Sequence, residues 1–169
     1  MKPLIKEING KNPQFGKDCY LSENATIIGE VNCGDRCSFW FNSVTRGDVH
    51  FIKIGNEVNV QDGAIIHCTY KKSPTTIGNQ VTIGHNAIVH GCTIKDRVLI
   101  GMGSIVLDNC IIESDSIIAA GAVVTMGTHV KSGEIYAGVP AKKVKEGEFK
   151  KQLLDLANKY IAYSKWYKD

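Results

Sequence analysis

The fold of this chain is decided by residues 77–130, which read IGNQVTIGHNAIVHGCTIKDRVLIGMGSIVLDNCIIESDSIIAAGAVVTMGTHV. Within this stretch an aliphatic residue returns every six positions, and one step, from Val89 to Ile94, is shortened to five. The aliphatic positions are Ile77, Ile83, Val89, Ile94, Ile100, Val106, Ile112, Ile118, Val124 and Val130. A fixed six-residue period predicts a parallel β-helix, in which each short strand and turn buries its inner face by stacking on the next coil.

The same pattern continues toward the N-terminus. It is clear at Ile54, Val60 and Ile66 and fainter at Leu21, Ile27, Cys33 and Phe39. Apolar residues do not recur at the i, i+3, i+4 and i+7 spacing of an amphipathic helix, so a helix is not expected in this region. One step is longer than the others, eleven residues from Ile66 to Ile77, and it predicts an exposed loop over residues 69–75.

The last part of the chain follows a different period. From Gly147 onward the apolar residues have helical spacing, with lysine and aspartate between them, at Phe149, Leu153, Leu156, Ala157, Tyr160, Ile161 and Tyr167. This spacing predicts an amphipathic helix that needs the flank of a coil to pack on. We therefore expect an all-β protein with a C-terminal helix, divided into a β-helix domain over residues 1–145 and a helical segment over residues 146–169.

Composition narrows the classes of function. A chain of 169 residues suits one domain, and a net charge of +3 without a basic stripe gives no indication of nucleic-acid binding. The sequence contains neither an apolar run long enough for a membrane span nor an N-terminal secretory signal. Six cysteines without a CxxC pair predict reduced thiols in a cytoplasmic protein and no structural zinc pattern. Cys68 and Cys92, close to histidines, are candidates for a reactive role.

Three histidines follow inward positions of the repeat. Three six-residue units form one turn in helices of this type, so Val89 should stack over Ile66. His67 and His90 then occupy the same rung of adjacent coils, about 4.8 Å apart, where they can share a metal ion. His85 lies on another face and would join the pair of a neighbouring molecule, giving a three-histidine site with an open position. The simpler alternative is a set of solvated turn histidines.

Several short stretches resemble the γ-class carbonic anhydrase family. The resemblance runs from about residue 10 to the C-terminal helix, and its most specific part is NxQDG together with three spaced histidines. The stretches are RGD at 46–48, NVQDG at 59–63, IH at 66–67, IGH at 83–85, VHGC at 89–92, IGMGS at 100–104 and YAGVPA at 136–141. The resemblance implies a left-handed parallel β-helix, a homotrimer, and hydration of CO2 to bicarbonate at the subunit interfaces.

The resemblance also implies how the metal is held. Zinc, or iron or another divalent metal in its place, would bind His67 and His90 of one chain and His85 of the next. Gln61 matches the residue that orients the solvent nucleophile, and Asn59 lies beside it in the sequence.

Further family positions fall on charged and aromatic residues. Arg46, Asp48 and Asp62 match an ion pair across the subunit interface. For Arg46 a structural salt bridge and a catalytic role are both open, and for Asp62 the structural role is favoured. Tyr160 matches a tyrosine that family members bring near the metal, with helix packing as the alternative.

The chain departs from the family between its first two site histidines. Family members carry an acidic loop there, with a glutamate that relays protons, whereas this loop is short and basic, with Lys71 and Lys72. Proton transfer to buffer should therefore limit turnover unless His50 or Tyr160 substitutes.

Two other functions remain open from the sequence. A hexapeptide-repeat acyltransferase would use His85 or His90 as a general base and bind acyl-CoA between subunits. A catalytically silent metal-binding scaffold would need only the trimer and the site.

Overall fold

The structure, a computed structural model, describes residues 2–167. Met1 and residues 168–169, the outer ends of the two predicted segments, lie outside the described residues. The elements are β1 Leu4–Lys6, β2 Gln14–Phe15, β3 Tyr20–Leu21, β4 Thr26–Cys33, β5 Ser38–Phe39, β6 Val44–Ile54, β7 Asn59–Val60, β8 Ile65–His67, β9 Thr75–Ile77, β10 Thr82–Ile83, β11 Ile88–His90, β12 Thr93–Ile94, β13 Leu99–Ile100, β14 Ile105–Val106, β15 Ile111–Ile112, β16 Ile117–Ile118, β17 Val123–Val124, β18 His129–Val130, β19 Glu134–Ala137, β20 Lys142–Glu146, α1 Lys150–Ser164 and a 3-10 turn Lys165–Tyr167.

The strands wind as three faces of a solenoid. Strands β4 and β6, of 8 and 11 residues, continue round one corner, so two faces belong to one twelve-stranded sheet. The third face is an eight-stranded sheet that runs from β3 to β19 and ends with β20, which pairs antiparallel to β19. The predicted architecture, an all-β coil of stacked six-residue units with a C-terminal helix, is confirmed.

The core is a set of columns of aliphatic side chains along the solenoid axis. In one column Ile66 pairs with Val89, Val89 with Val106, and Val106 with Val124, and all four side chains are completely buried. Full burial of such a side chain contributes roughly 1.5–3 kcal/mol. The columns therefore stabilise the stack, and they also fix which residues of adjacent coils are neighbours.

One corner is held by a ladder of side-chain oxygens. Each Oδ1 atom accepts a hydrogen bond of 2.7–2.9 Å from a backbone N–H of the preceding coil. The acceptors are Asp35, Asn56, Asn79 and Asp96. Glycine is needed beside the ladder, because a Cβ on Gly34 would lie 2.2 Å from Oδ1 of Asn56. The Asn and Asp side chains of this corner thus satisfy backbone donors that the short strands leave unpaired, and glycine leaves room for them.

Helix α1 packs on the eight-stranded sheet of its own coil, against β5, β7 and β10. Leu153 and Ala157 are buried there, and the ring of Tyr160 meets Trp40 edge-on at 5.6 Å between centroids. Strand β20 ends at Glu146, so the sequence-based boundary after residue 145 falls at the end of this strand. Within residues 2–167 no helix has the length and hydrophobicity to cross a lipid bilayer.

Candidate metal centre

His67 and His90 meet on one rung of the twelve-stranded sheet. Strands β8 and β11 pair in parallel, with His90 opposite His67. Nδ1 of His67 lies 3.2 Å from Nε2 of His90. Two nitrogens bound to the same tetrahedral zinc ion at about 2.0–2.1 Å would lie roughly 3.3 Å apart. The pair therefore has the spacing of two ligands of one metal ion.

The outer nitrogen of each ring lies against a carboxylate. Nε2 of His67 is 3.1 Å from Asp48 Oδ1, and Nδ1 of His90 is 3.1 Å from Asp108 Oδ2. Two neutral imidazoles carry two N–H groups in total, and these two carboxylate contacts use both. The two facing nitrogens then present lone pairs to each other, an arrangement that a cation between them satisfies. The donor set consequently fits a bound metal ion.

The electrostatics around His67 favour its neutral, metal-binding form. Burial lowers the pKa of His67, and the positive charge of Arg46 lowers it further, against the opposing effect of Asp48. Burial by itself would raise the pKa of Asp48, but hydrogen bonds from Arg46 and His67 outweigh it and hold this pKa below the ordinary value. Asp48 bridges Arg46 and His67. Its Oδ2 atom lies 2.5 Å from a guanidinium nitrogen of Arg46, and its Oδ1 atom contacts His67.

A second set of residues braces the pair from the loop after β8. Thr69 donates a hydrogen bond of 2.7 Å to Asp108, and Thr75 donates one of 2.6 Å to the carbonyl of His67. Tyr70 is exposed as expected for this loop, but Ser73 and Thr75 are buried, so the prediction of an exposed segment over residues 69–75 holds only for its middle. Residues of this segment thus hydrogen-bond Asp108 and the backbone of His67, and sequence reasoning missed this role.

His85 lies apart from the pair, after a strand of the eight-stranded sheet. It follows β10, and its Nδ1 atom lies 2.8 Å from Asp62 Oδ2. About 40% of its side chain is exposed, more than for His67 or His90. Within the described chain Asp48 therefore forms an ion pair with Arg46, and Asp62 pairs with His85.

A groove of about 430 Å³ opens beside His85 and is mostly apolar. Gln61 lines it, and the Nε2 atom of Gln61 donates a hydrogen bond of 3.0 Å to Asn59 Oδ1. Asn59 in turn donates to Thr82 Oγ1 at 2.9 Å. In this arrangement Asn59 engages Nε2 of Gln61, and the Oε1 atom of Gln61 is left as an acceptor.

Tyr160 packs on the coil and borders the groove. Its ring packs on Trp40, and it also lines the groove with His85. Burial raises the pKa of Tyr160, and the charge of Asp62 adds to the increase. The phenol is therefore protonated at neutral pH, which makes it a hydrogen-bond donor and not a base.

The contacts of the remaining candidates do not indicate a reactive role. Cys68 and Cys92 are buried, and burial raises the pKa of both thiols, which is the opposite of a reactive cysteine. His50 accepts a hydrogen bond from the N–H of Phe51, and His129 pairs with Glu113 at 3.0 Å on the surface.

Comparison with known proteins places the chain in a family. The family model of the bacterial transferase hexapeptide (six repeats) matches residues 91–125. Gamma carbonic anhydrase 2, mitochondrial, of Arabidopsis thaliana is 38% identical over 165 residues, and a carbonic anhydrase of Geobacillus kaustophilus (strain HTA426) is 36% identical over 167 residues. The chain belongs to the γ-carbonic-anhydrase-like family of hexapeptide-repeat proteins.

The lengths of these relatives differ. The alignments cover 95% of this chain but 57% of the Arabidopsis protein, so the chain spans little more than half of that relative. They cover 98% of this chain and 91% of the Geobacillus protein. A crystal structure of a hexapeptide transferase family protein from Anaplasma phagocytophilum has a TM-score of 0.93 and 39% identity, covering 99% of both chains.

Proposed function

We propose that this chain binds a divalent metal ion, zinc or iron, between His67 and His90 of one copy and His85 of another, and hydrates CO2 at that site. The observation that carries the proposal is the contact of 3.2 Å between the two facing nitrogens, whose rings have their outer nitrogens against carboxylates. Relatives named carbonic anhydrases support the same reaction. Imidazole ligands with an open position suit a catalytic zinc ion, and they also suit iron.

The placement of the two half-sites supports a homotrimer. His67 and His90 belong to the twelve-stranded sheet, whereas His85 follows a strand of the eight-stranded sheet. Threefold symmetry would set one half-site of each copy against the other half-site of the next, at three identical interfaces. Each interface would then hold a complete three-histidine site.

The chemistry divides between the ion and the chain. A bound divalent cation supplies Lewis acidity that lowers the pKa of water from about 15.7 to about 7. Gln61 presents Oε1 to the groove and accepts a hydrogen bond from the attacking oxygen species, because Asn59 holds the other end of its amide. Arg46, positioned by Asp48 next to His67, stabilises the negative charge that develops on bicarbonate.

Proton removal depends on the solvent. Residues 69–76, which include the inserted loop, contain no carboxylate, and the raised pKa of Tyr160 excludes it as a base at neutral pH. Unless His50 relays the proton, it leaves to external buffer, and turnover should then increase with the concentration of an added base such as imidazole.

Chain mixing tests the shared site directly. His85→Ala and His67→Ala each remove one half-site, and each variant alone should bind almost no metal at the centre. Co-expression of the two variants should restore metal binding in part, because in each mixed trimer one of the three interfaces joins an intact His67–His90 pair to an intact His85. His129→Ala, at a surface pair, should retain the metal. Mixed trimers that remain metal-free would overturn the shared site.

Activity is tested separately by CO2 hydration of the metal-loaded protein with and without imidazole. Rate enhancement that is lost in His85→Ala supports the enzyme. Full metal occupancy without hydration at any buffer concentration would leave the metal-binding scaffold, and metal-free protein that binds acetyl-CoA would favour the acyltransferase.

A further inference from the structure

The first coils bring together three cysteines that are dispersed in the sequence. Strand β3 pairs with β5 so that Tyr20 lies opposite Ser38, and Cys19 and Cys37 immediately precede this pair on adjacent coils. Cys33 ends strand β4, four residues before Cys37. The three Sγ atoms all lie within 4.8 Å of one another.

This cluster has the dimensions of a sulfur site for a metal. Three thiolates bound to one ion at about 2.3 Å would have sulfurs roughly 4 Å apart, within the separation found here. Cys37 is buried, while Cys19 and Cys33 are partly exposed, so an ion can enter from solvent. The cluster lies at the N-terminal end of the eight-stranded sheet, where β3 is the last strand. Its ligand atoms are all sulfur, in contrast to the imidazoles of the histidine pair.

We propose that Cys19, Cys33 and Cys37 form a second metal site, selective for a thiophilic ion of the Cu(I) or Zn(II) type. Soft thiolates select such ions over the hard cations. Cu(I) is satisfied by three sulfurs, whereas Zn(II) takes a fourth ligand, which solvent at the partly exposed side supplies.

Without an ion Cys33 and Cys37 are protonated. The hydrogen bond with Cys19, with burial as a further cause, raises the pKa of Cys33 to about 12. Hydrogen bonds with Cys19 and Cys33 raise the pKa of Cys37 as well. An ion that binds forms S–metal bonds and releases the thiol protons to solvent, with no change of oxidation state.

Cys110 is the matched control. It precedes an inward residue by two positions, as Cys37 does, and both thiols lie 3.1 Å from a backbone carbonyl oxygen. Cys110 does not belong to the cluster of three sulfurs. Cys110 therefore packs as a small apolar side chain. If Cys37 had only this role, substitution of Cys37 and of Cys110 would change metal binding equally.

The test uses the full chain, stripped of metal and kept reduced and anaerobic. Cu(I) is titrated against a chromogenic chelator, and Cd(II) is titrated separately as a spectroscopic substitute for Zn(II), because its bonds to thiolate absorb in the ultraviolet and its bonds to imidazole do not. We expect about one equivalent of sulfur-bound ion per chain, since a preformed site binds stoichiometrically. The bound equivalent should be lost in Cys19→Ser, Cys33→Ser and Cys37→Ser and retained in Cys110→Ser.

The outcomes are distinct. Binding of Cu(I) without a Cd(II)–thiolate band assigns a copper-type site, and the reverse assigns a zinc-type site. Absence of both, or equal loss in Cys19→Ser and Cys110→Ser, overturns the proposal. Cys19 is the decisive position because it is partly exposed, and circular dichroism of Cys19→Ser checks that the coil still folds.

Discussion

Nδ1 of His67 lies 3.2 Å from Nε2 of His90, across one rung of paired parallel strands. The distance is set by backbone hydrogen bonding between β8 and β11 and by the buried column of Ile66 and Val89 beneath them. A pair held by regular strands is better preorganised than one held by loops. The centre therefore needs little rearrangement to accept an ion.

Asp108→Asn should weaken metal binding without unfolding the coil. The carboxylate of Asp108 orients His90 through Nδ1, and loss of such an outer contact typically costs about 10–100-fold in metal affinity. Zinc affinity is measured by competition with a chelator. Glu113→Gln, which removes the carboxylate next to the surface residue His129, is the matched control. Equal zinc affinity of the two variants would show that Asp108 does not position His90.

Gly91→Ala should destabilise the protein and disturb the centre. Gly91 has φ of +55°, and a Cβ there would lie 2.0 Å from Oδ1 of Asp108 and 2.9 Å from Cβ of Ser73. Gly103 also has positive φ, of +65°, but a Cβ there meets nothing within 4 Å. Gly103→Ala should therefore cost only the backbone strain, about 1–2 kcal/mol, and Gly91→Ala should cost roughly 1–3 kcal/mol more.

Urea unfolding measures both glycine variants, and zinc affinity is compared under native conditions. The prediction requires Gly91→Ala to lose both stability and zinc affinity relative to Gly103→Ala. Similar unfolding free energies would mean that the corner relaxes away from Asp108.

Gln61→Ala should reduce CO2 hydration while leaving the metal in place. Gln61 lines the groove without belonging to the ligand set, and its amide is fixed by Asn59. Loss of an orienting group of this kind costs on the order of 10–100-fold in kcat/KM. Gln80→Ala, which removes a hydrogen bond of 2.8 Å to Glu57, is the control. A Gln61→Ala protein with unchanged kcat/KM per bound metal would contradict the assigned role.

Glu57 should give a pH-dependent contribution to stability. The hydrogen bond from Arg36 lowers its pKa below the ordinary 4.5, and burial only partly opposes this. A carboxylate with a lowered pKa stabilises the fold above its unfolded pKa and loses that contribution as pH falls through its folded pKa. Arg36 is half exposed, so the contribution should be about 1 kcal/mol or less.

Unfolding free energies of the natural chain and Glu57→Gln, measured from pH 7 to pH 3, test this. The advantage of the natural chain should be constant near neutral pH and should shrink once the pH falls below about 4.5. A difference that is independent of pH would mean that the Arg36–Glu57 pair does not contribute through its charge.

The repeat predicted the coil because its period fixes both the side-chain direction and the neighbour on the next turn. Counting units from Ile66 to Val89 places His67 opposite His90, and the two residues are paired in the register of β8 and β11. The metal-ligand role of these residues and of His85 stays a prediction. The contacts of Gln61 and Asn59 required the structure, because two amides can orient in several ways for one sequence.

The residues that brace the histidine pair were only partly predictable from the period. Asp108 is 18 residues from His90, about three units and therefore one turn of the coil, so the repeat places it next to His90. Thr69, in contrast, lies in an inserted loop whose path the repeat does not specify. The cysteine cluster was missed for a different reason. A search for CxxC spacing detects ligands within one turn, whereas Cys19 and Cys37 meet through the stacking of coils.

The reversed strand β20 has a consequence for how copies of this chain associate. It covers the open edge of β19, and its own outer edge carries the exposed sequence KKVKE, with Lys143 tied back to Glu134 at 3.0 Å. A short, charged edge strand opposes further strand pairing. End-to-end pairing of a second copy at this edge of the eight-stranded sheet is therefore disfavoured.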